Sequence, residues 1–161
     1  MTVQLALYKG KGQIGNALIR WWTSSEYSHC ELVIDGVSYS SSLMDGGVRG
    51  KIIQFKPEHW DFVDLPWADA DAVMDYFVAT DADRYGLAGL LVNQVFNRNQ
   101  RTPHAQFCSE WCARALGMPA GSIYNPATLG ELATWLGDKS PALQTSPGYR
   151  GPSVAQGMGK W

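Results

Sequence analysis

Tyr27-Ser28-His29-Cys30-Glu31-Leu32-Val33-Ile34-Asp35-Gly36-Val37-Ser38-Tyr39-Ser40-Ser41-Ser42 reads as a strand, a tight turn and a returning strand. Asp-Gly is a favoured pair for a two-residue hairpin turn, and the residues on either side have the composition of half-buried strands. Working outward, Val3-Gln4-Leu5-Ala6-Leu7-Tyr8 alternates as a strand and ends at the turn signal Lys9-Gly10-Lys11-Gly12, which leads into a short helical segment from about Ile14 to Trp22. On the other side, Asp45-Gly46-Gly47 marks a further turn before a strand from Val48 to Phe55, and Phe62-Val63-Asp64-Leu65 gives one more.

From Ala68 the apolar spacing becomes helical. Ala68 to Thr80, Tyr85 to Phe96 and Phe107 to Leu116 read as helices, the last stopping at Gly117, and Asn125-Pro126-Ala127-Thr128-Leu129 opens a short helix to Leu136. Strands first and helices after predict an α+β fold. The 161 residues suit one domain over 1–140. Beyond Ser140, Pro141, Ser146-Pro147-Gly148 and Gly151-Pro152 predict a poorly ordered tail over 141–161.

Composition narrows the partners. A net charge of -2, with no local run of Lys or Arg, provides no basic field for a phosphate backbone, so no nucleic-acid partner is expected. The N-terminal stretch Met1 to Gly12 has its lysines after its apolar residues, the reverse of a secretory signal, and the apolar run Leu87 to Phe96 is too short to span a bilayer. A soluble, cytoplasmic protein without an integral membrane segment is the expectation. The three cysteines, Cys30, Cys108 and Cys112, are odd in number, so at least one thiol is free.

A nucleophilic thiol needs a base, an oxyanion donor and preferably a helix N-terminus. Cys108 follows Pro103-His104-Ala105-Gln106-Phe107 and precedes a helical run, which places it in a first turn with its backbone N–H toward substrate; the alternative is a small buried hydrophobe. Cys112, one turn deeper, reads as core. His104, Cys108 and Cys112 rise too far along a helix to converge on one ion, so no metal site is expected. His59, beside Trp60, reads as a surface or satisfied residue. His29 lies in a strand with Glu31 on the same face, where a carboxylate can fix the tautomer of an imidazole; the alternative is a core histidine with a rim glutamate.

Five stretches together resemble the permuted NlpC/P60 papain-like proteins, relatives of the lecithin retinol acyltransferase-like enzymes. They are Tyr27-Ser28-His29-Cys30-Glu31-Leu32-Val33, Asp45-Gly46-Gly47-Val48, Arg84-Tyr85-Gly86-Leu87-Ala88-Gly89, Phe107-Cys108-Ser109-Glu110-Trp111-Cys112-Ala113 and Asn125-Pro126-Ala127-Thr128-Leu129, in the permuted order with the histidine strand ahead of the cysteine helix.

The resemblance implies a papain-like fold in that order, Cys108 as nucleophile, His29 as general base and Glu31 as the third residue. The returning strand Val37 to Ser42 offers only serines and Tyr39 for that third role. Tyr85 matches a tyrosine beside the nucleophile, and Tyr27 and Ser109 are counted with it on the substrate side. Glu110 turns away from Cys108 and is expected to cap or pair structurally.

The implied activity is hydrolysis of an amide or ester through a thioester, first of all on cell-wall-type peptides, with no metal or organic cofactor. A lipid acyl hydrolase or acyltransferase and a binding protein that keeps the fold without turnover remain the alternatives.

Overall fold

In the computed structural model, which describes residues 1–10, 26–42, 44–81, 84–85, 105–119 and 121–144, Asp35 and Gly36 both take positive φ, 49° and 81°. That pairing matches the right-handed twist of the flanking strands. It turns β2 (His29–Ile34) into β3 (Val37–Ser42), with Ile34 opposite Val37 and Leu32 opposite Tyr39.

β1 (Val3–Tyr8) lies antiparallel along the other side of β2, and β5 (Trp60–Asp64) along the outer side of β1. β4 (Gly47–Lys51) pairs with β3. The five antiparallel strands run in the order β5-β1-β2-β3-β4, and two two-residue strands, β6 (Arg84–Tyr85) and β7 (Ala105–Gln106), extend the β4 edge. With the helices α1 (Ala70–Thr80), α2 (Cys108–Ala115) and α3 (Pro126–Gln144), the fold is α+β, as the order of strands and helices predicts.

Strand alternation sorts the sheet into two faces. Val3, Leu5 and Leu7 of β1 share a face with Ile34, Leu32 and Cys30 of β2, and these pack with Val73 of α1, Trp111 and Cys112 of α2, and Leu129 and Ala133 of α3 in one buried cluster. At about 25 cal/mol per Å² of buried apolar surface, this layer is the main stabilising contribution. The alternate residues on the other face include Glu31, Ser38, Ser40 and Arg49. Glu31 and the two serines are fully enclosed.

The helix ends are set locally. Asp69 caps α1 by accepting from the backbone N–H groups of Asp71 and Ala72 at 3.0 and 3.3 Å. At the start of α3, Asn125 Oδ1 accepts from the Thr128 N–H at 2.9 Å while the Asn125 N–H donates to Thr128 Oγ1 at 3.0 Å, a reciprocal capping box with Pro126 at the first helical position. Gly117, at φ 70°, ends α2: its N–H donates to the Arg114 carbonyl and that of Met118 to the Ala113 carbonyl, the Schellman pattern.

Several boundaries differ from the sequence expectation. The strand expected over Val48 to Phe55 stops at Lys51, because the register Ser38 to Lys51 brings it level with the hairpin turn, beyond which β3 has few residues left to pair. Tyr85 does not start a helix: it pairs with Gln106 in the parallel β6–β7 ladder. The helix opened by Asn125 continues to Gln144, past the boundary drawn at Ser140. The helical segment Ile14 to Trp22, the stretch from Gly86 to Phe96 and the tail from 145 onward lie outside the described residues.

Candidate functional site

β7 leads through Phe107 directly into α2, so Cys108 is the first residue of the helix. Phe107 has an extended conformation (φ -98°, ψ 166°) and gives no side-chain cap. The first-turn N–H groups of α2 thus carry the positive end of the helix dipole at the thiol without a capping side chain to neutralise it.

Three contacts fix where this helix start sits. The Ser109 hydroxyl donates to the Tyr124 carbonyl at 2.6 Å, Trp111 Nε1 donates to Thr80 Oγ1 at 2.9 Å, and Cys112 Sγ lies 3.8 Å from both the sulfur and the carbonyl oxygen of Cys30. Glu110 pairs along the helix with Arg114 at 2.7 Å, the structural role expected of it.

Cys108 meets the first two residues of β2. Its thiol lies beside the His29 imidazole and Cys30, close enough to shift the acidity of both, and the N-terminus of α2 packs over the start of the strand. His29 Nε2 is 2.9 Å from Glu31 Oε1, which leaves Nδ1 as the ring nitrogen to serve the thiol. Glu31 is fully enclosed at 1% exposure, whereas the His29 side chain retains 21%. The expected trio of Cys108, His29 and Glu31 is thus brought together in one chain of contacts.

The electrostatics of that chain are those of an ion pair. Donation from the Cys30 thiol is the largest effect on Cys108; burial opposes it, and the charge and hydrogen bond of His29 add to it, so that the thiol lies well below its ordinary range. Burial would lower the basicity of His29. The Cys108 thiolate, and then Glu31, outweigh it and push the imidazole up to about 10. Cys30 moves the other way. Burial and its donation to Cys108 and Cys112 raise it well above the usual thiol range, so it stays a protonated donor. Burial alone would raise the Glu31 carboxyl, but hydrogen bonds from Arg49 and His29 hold it below the usual carboxylate range.

Arg49 and Asp45 are the residues that sequence reasoning missed. Arg49 NH1 and NH2 reach the two oxygens of Glu31, each at 2.6 Å, and Arg49 Nε donates to Asp45 Oδ2 at 2.8 Å. Lys51 Nζ closes the series on both Asp45 oxygens at 2.6 and 2.8 Å. The available signal was the Asp45-Gly46-Gly47-Val48 turn, which places Arg49 on the next strand. Ser40, directly opposite Arg49, has a small side chain that lets the long arginine cross β3 toward β2.

The remaining expected site residues are placed differently. The Tyr27 hydroxyl donates to Asp61 Oδ2 at 2.8 Å, and burial together with that carboxylate keeps the phenol protonated. The Ser109 hydroxyl is occupied by Tyr124 and the residue is 1% exposed, so it anchors α2. The backbone of Tyr85 lies beside Gln106, two residues before Cys108. His59 is half-buried, its ring edge-on to Tyr8 at 6.1 Å. His104 lies outside the described residues. Among the described residues, no three or more His, Cys, Asp or Glu converge on a point that could hold a metal ion, and no helix is long and apolar enough to cross a membrane. No family model, curated protein or solved structure matches the chain.

Chemically, the arrangement offers a buried thiolate at a helix N-terminus, an imidazolium that can return a proton, and a carboxylate that holds the ring. It suits nucleophilic attack on an electrophilic carbon followed by protonation of a leaving group.

Proposed function

We propose that the chain is a cysteine-dependent acyl-transfer enzyme that hydrolyses amide or ester bonds, with the permuted NlpC/P60 papain-like arrangement. The observation that supports this most is the contact between Cys108, at the first position of α2, and an imidazole whose other side is bonded to a buried carboxylate.

His29 takes the Cys108 proton and the thiolate adds to the substrate carbonyl, with the Cys108 N–H as one donor to the oxyanion. The imidazolium then gives its proton to the departing amine or alkoxide as the bond to the acyl carbon breaks, leaving a thioester. Water, deprotonated by His29, attacks that thioester and releases the acid and the restored thiol. Cell-wall-type peptides are the substrates to which the resemblance points first.

The pH dependence follows from the two directions of shift. Thiolate forms above the lowered Cys108 value, and imidazolium is lost as pH passes about 10. Hydrolysis should therefore rise at an acid limb below the ordinary thiol value, hold a plateau, and fall on an alkaline limb near the His29 value.

Incubation with an activated ester, followed by intact-protein and peptide mass spectrometry, tests the reading. Wild type should carry one acyl group on Cys108 or turn the ester over. Cys108→Ala should lose at least roughly 10³-fold of that rate, as removal of a covalent nucleophile does. Equal acylation at Cys30 and Cys112, or undiminished turnover in Cys108→Ala, would refute the proposal. Release of amine from muropeptides by wild type then distinguishes a peptidase from an enzyme acting on lipid esters.

A further inference from the structure

Beyond the trio, the contacts continue without a gap from the thiol to the surface, and the charges alternate in sign. Cys108, His29, Glu31, Arg49, Asp45 and Lys51 carry negative, positive, negative, positive, negative and positive charge in turn. From Glu31 outward the side chains go from enclosed to open: Glu31 is 1% exposed, Arg49 14%, Asp45 28% and Lys51 43%.

We infer that Arg49 is a positioning residue for the proposed Cys108–His29 pair, acting through Glu31, whose carboxylate plane it fixes with a two-pronged contact. The inference rests on the acyl-transfer reading and adds to it a residue outside the expected trio.

Glu31 Oε1 is shared between His29 Nε2 at 2.9 Å and Arg49 NH2 at 2.6 Å, and Oε2 is held by Arg49 NH1 at 2.6 Å. A carboxylate gripped at both oxygens by a planar guanidinium cannot rotate, so the oxygen facing His29 stays in line with the ring nitrogen. Asp45 holds the third guanidinium nitrogen, and Lys51 holds Asp45. Arg49 is therefore oriented from behind. A lysine at 49 would retain the charge and lose the fork.

Electrostatics act in the same direction. A carboxylate enclosed this completely would be driven toward its neutral form without a cation beside it. Among the described residues, the groups that face it and its imidazole are Arg49 and, through Arg49, Asp45 and Lys51 from the β4 side, Tyr8 of β1 opposite His29, Cys30 of β2, and Cys108 from α2. Arg49 touches both oxygens of Glu31 and keeps its charge at every working pH, whereas the His29 imidazolium touches one oxygen and titrates. With Arg49 removed, Glu31 takes up a proton at higher pH on acidification. His29 then loses its anchor and the thiolate is lost earlier, so the acid limb of Cys108 reactivity moves upward.

The test is the pH profile of Cys108 alkylation in wild type, His29→Ala, Arg49→Met, Arg49→Lys, Glu31→Gln and the Glu31→Gln/Arg49→Met double variant, with thermal melts recorded in parallel. Arg49→Met should raise the acid midpoint by about one pH unit, the lower end of the effect of a neighbouring charge, which is about a five-fold loss of rate at the wild-type midpoint. Arg49→Lys should recover part of the shift. The double variant should match Glu31→Gln, because Arg49 acts through Glu31. It also buries no unpaired charge, so it keeps the test readable if Arg49→Met fails to fold.

A midpoint unmoved in Arg49→Met despite a lower melting temperature means a purely structural arginine and overturns the inference. So does a double variant shifted well beyond Glu31→Gln. An ordinary wild-type thiol with no dependence on His29 overturns the acyl-transfer reading itself, a distinguishable result.

Discussion

At pH 6, His29→Ala is expected to slow alkylation of Cys108 by iodoacetamide about 10- to 100-fold. An unassisted thiol with the reference value of about 8.5 is roughly 0.3% thiolate at that pH, against a far larger thiolate fraction for the lowered thiol beside the imidazolium. The gain, up to about 300-fold, is reduced because a thiolate of lower basicity is a weaker nucleophile. In the variant, burial acts against ionisation with less to oppose it, which moves the ratio back up. Donation from Cys30 survives the substitution and sets the lower bound.

The control lies within the molecule. Cys30 and Cys112 are wholly enclosed and should remain unreactive in both proteins. Removing the imidazole also opens a path to the thiol, an effect that speeds alkylation. A slower variant can therefore not be explained by access.

Trp111→Ala is expected to cost about 3–5 kcal/mol of stability and to lower the melting temperature by on the order of 10 °C. Trp111 is fully enclosed, its rings approach Tyr76 at 5.9 Å and Phe77 at 6.5 Å, and its indole N–H is bonded to Thr80 at 2.9 Å. All three partners belong to α1. The tryptophan thus joins α1 to α2 one turn after Cys108, and its truncation leaves both a cavity and a hydroxyl without its donor. Trp111→Phe should recover most of the loss, since it restores ring volume and omits only a hydrogen bond of about 1 kcal/mol. A melt shifted by less than about 3 °C in Trp111→Ala would mean that the α1–α2 contact contributes little to the fold.

The parts of the site that sequence could supply are those fixed by local geometry. Alternation along β2 puts His29 and Glu31 on one face, and the Pro103 to Phe107 approach puts Cys108 at a helix start; the contacts agree on both counts. Arg49 was hidden because its contact with Glu31 crosses an intervening strand, and no periodicity reports that β4 lies two strands from β2. The serines of β3, which read as poor partners for an imidazole, find their use there: Ser40 is the small residue the arginine passes over.

Cys30 was hidden for a different reason. Alternation assigns it to the face opposite His29, and only the placement of α2 over the start of the strand lets one thiol meet both residues. The strands β6 and β7 are two residues each, too short for any period, and their existence depends on partners distant in sequence. At the other end, Ser140-Pro141 reads locally as a stop signal, yet α3 continues to Gln144.

The most direct test of the central claim is the titration of the His29 ring by nitrogen and carbon NMR from pH 5 to 11, in wild type and in Cys108→Ala. A Cys108 thiolate in contact with His29 predicts an imidazolium that persists well above the reference value of about 6.5, with a midpoint near 10 in wild type, and a midpoint lower by more than about one unit once the sulfur is gone. A ring already neutral at pH 7.5 in wild type, or a midpoint the same in both proteins, would contradict the ion pair and the acyl-transfer reading built on it.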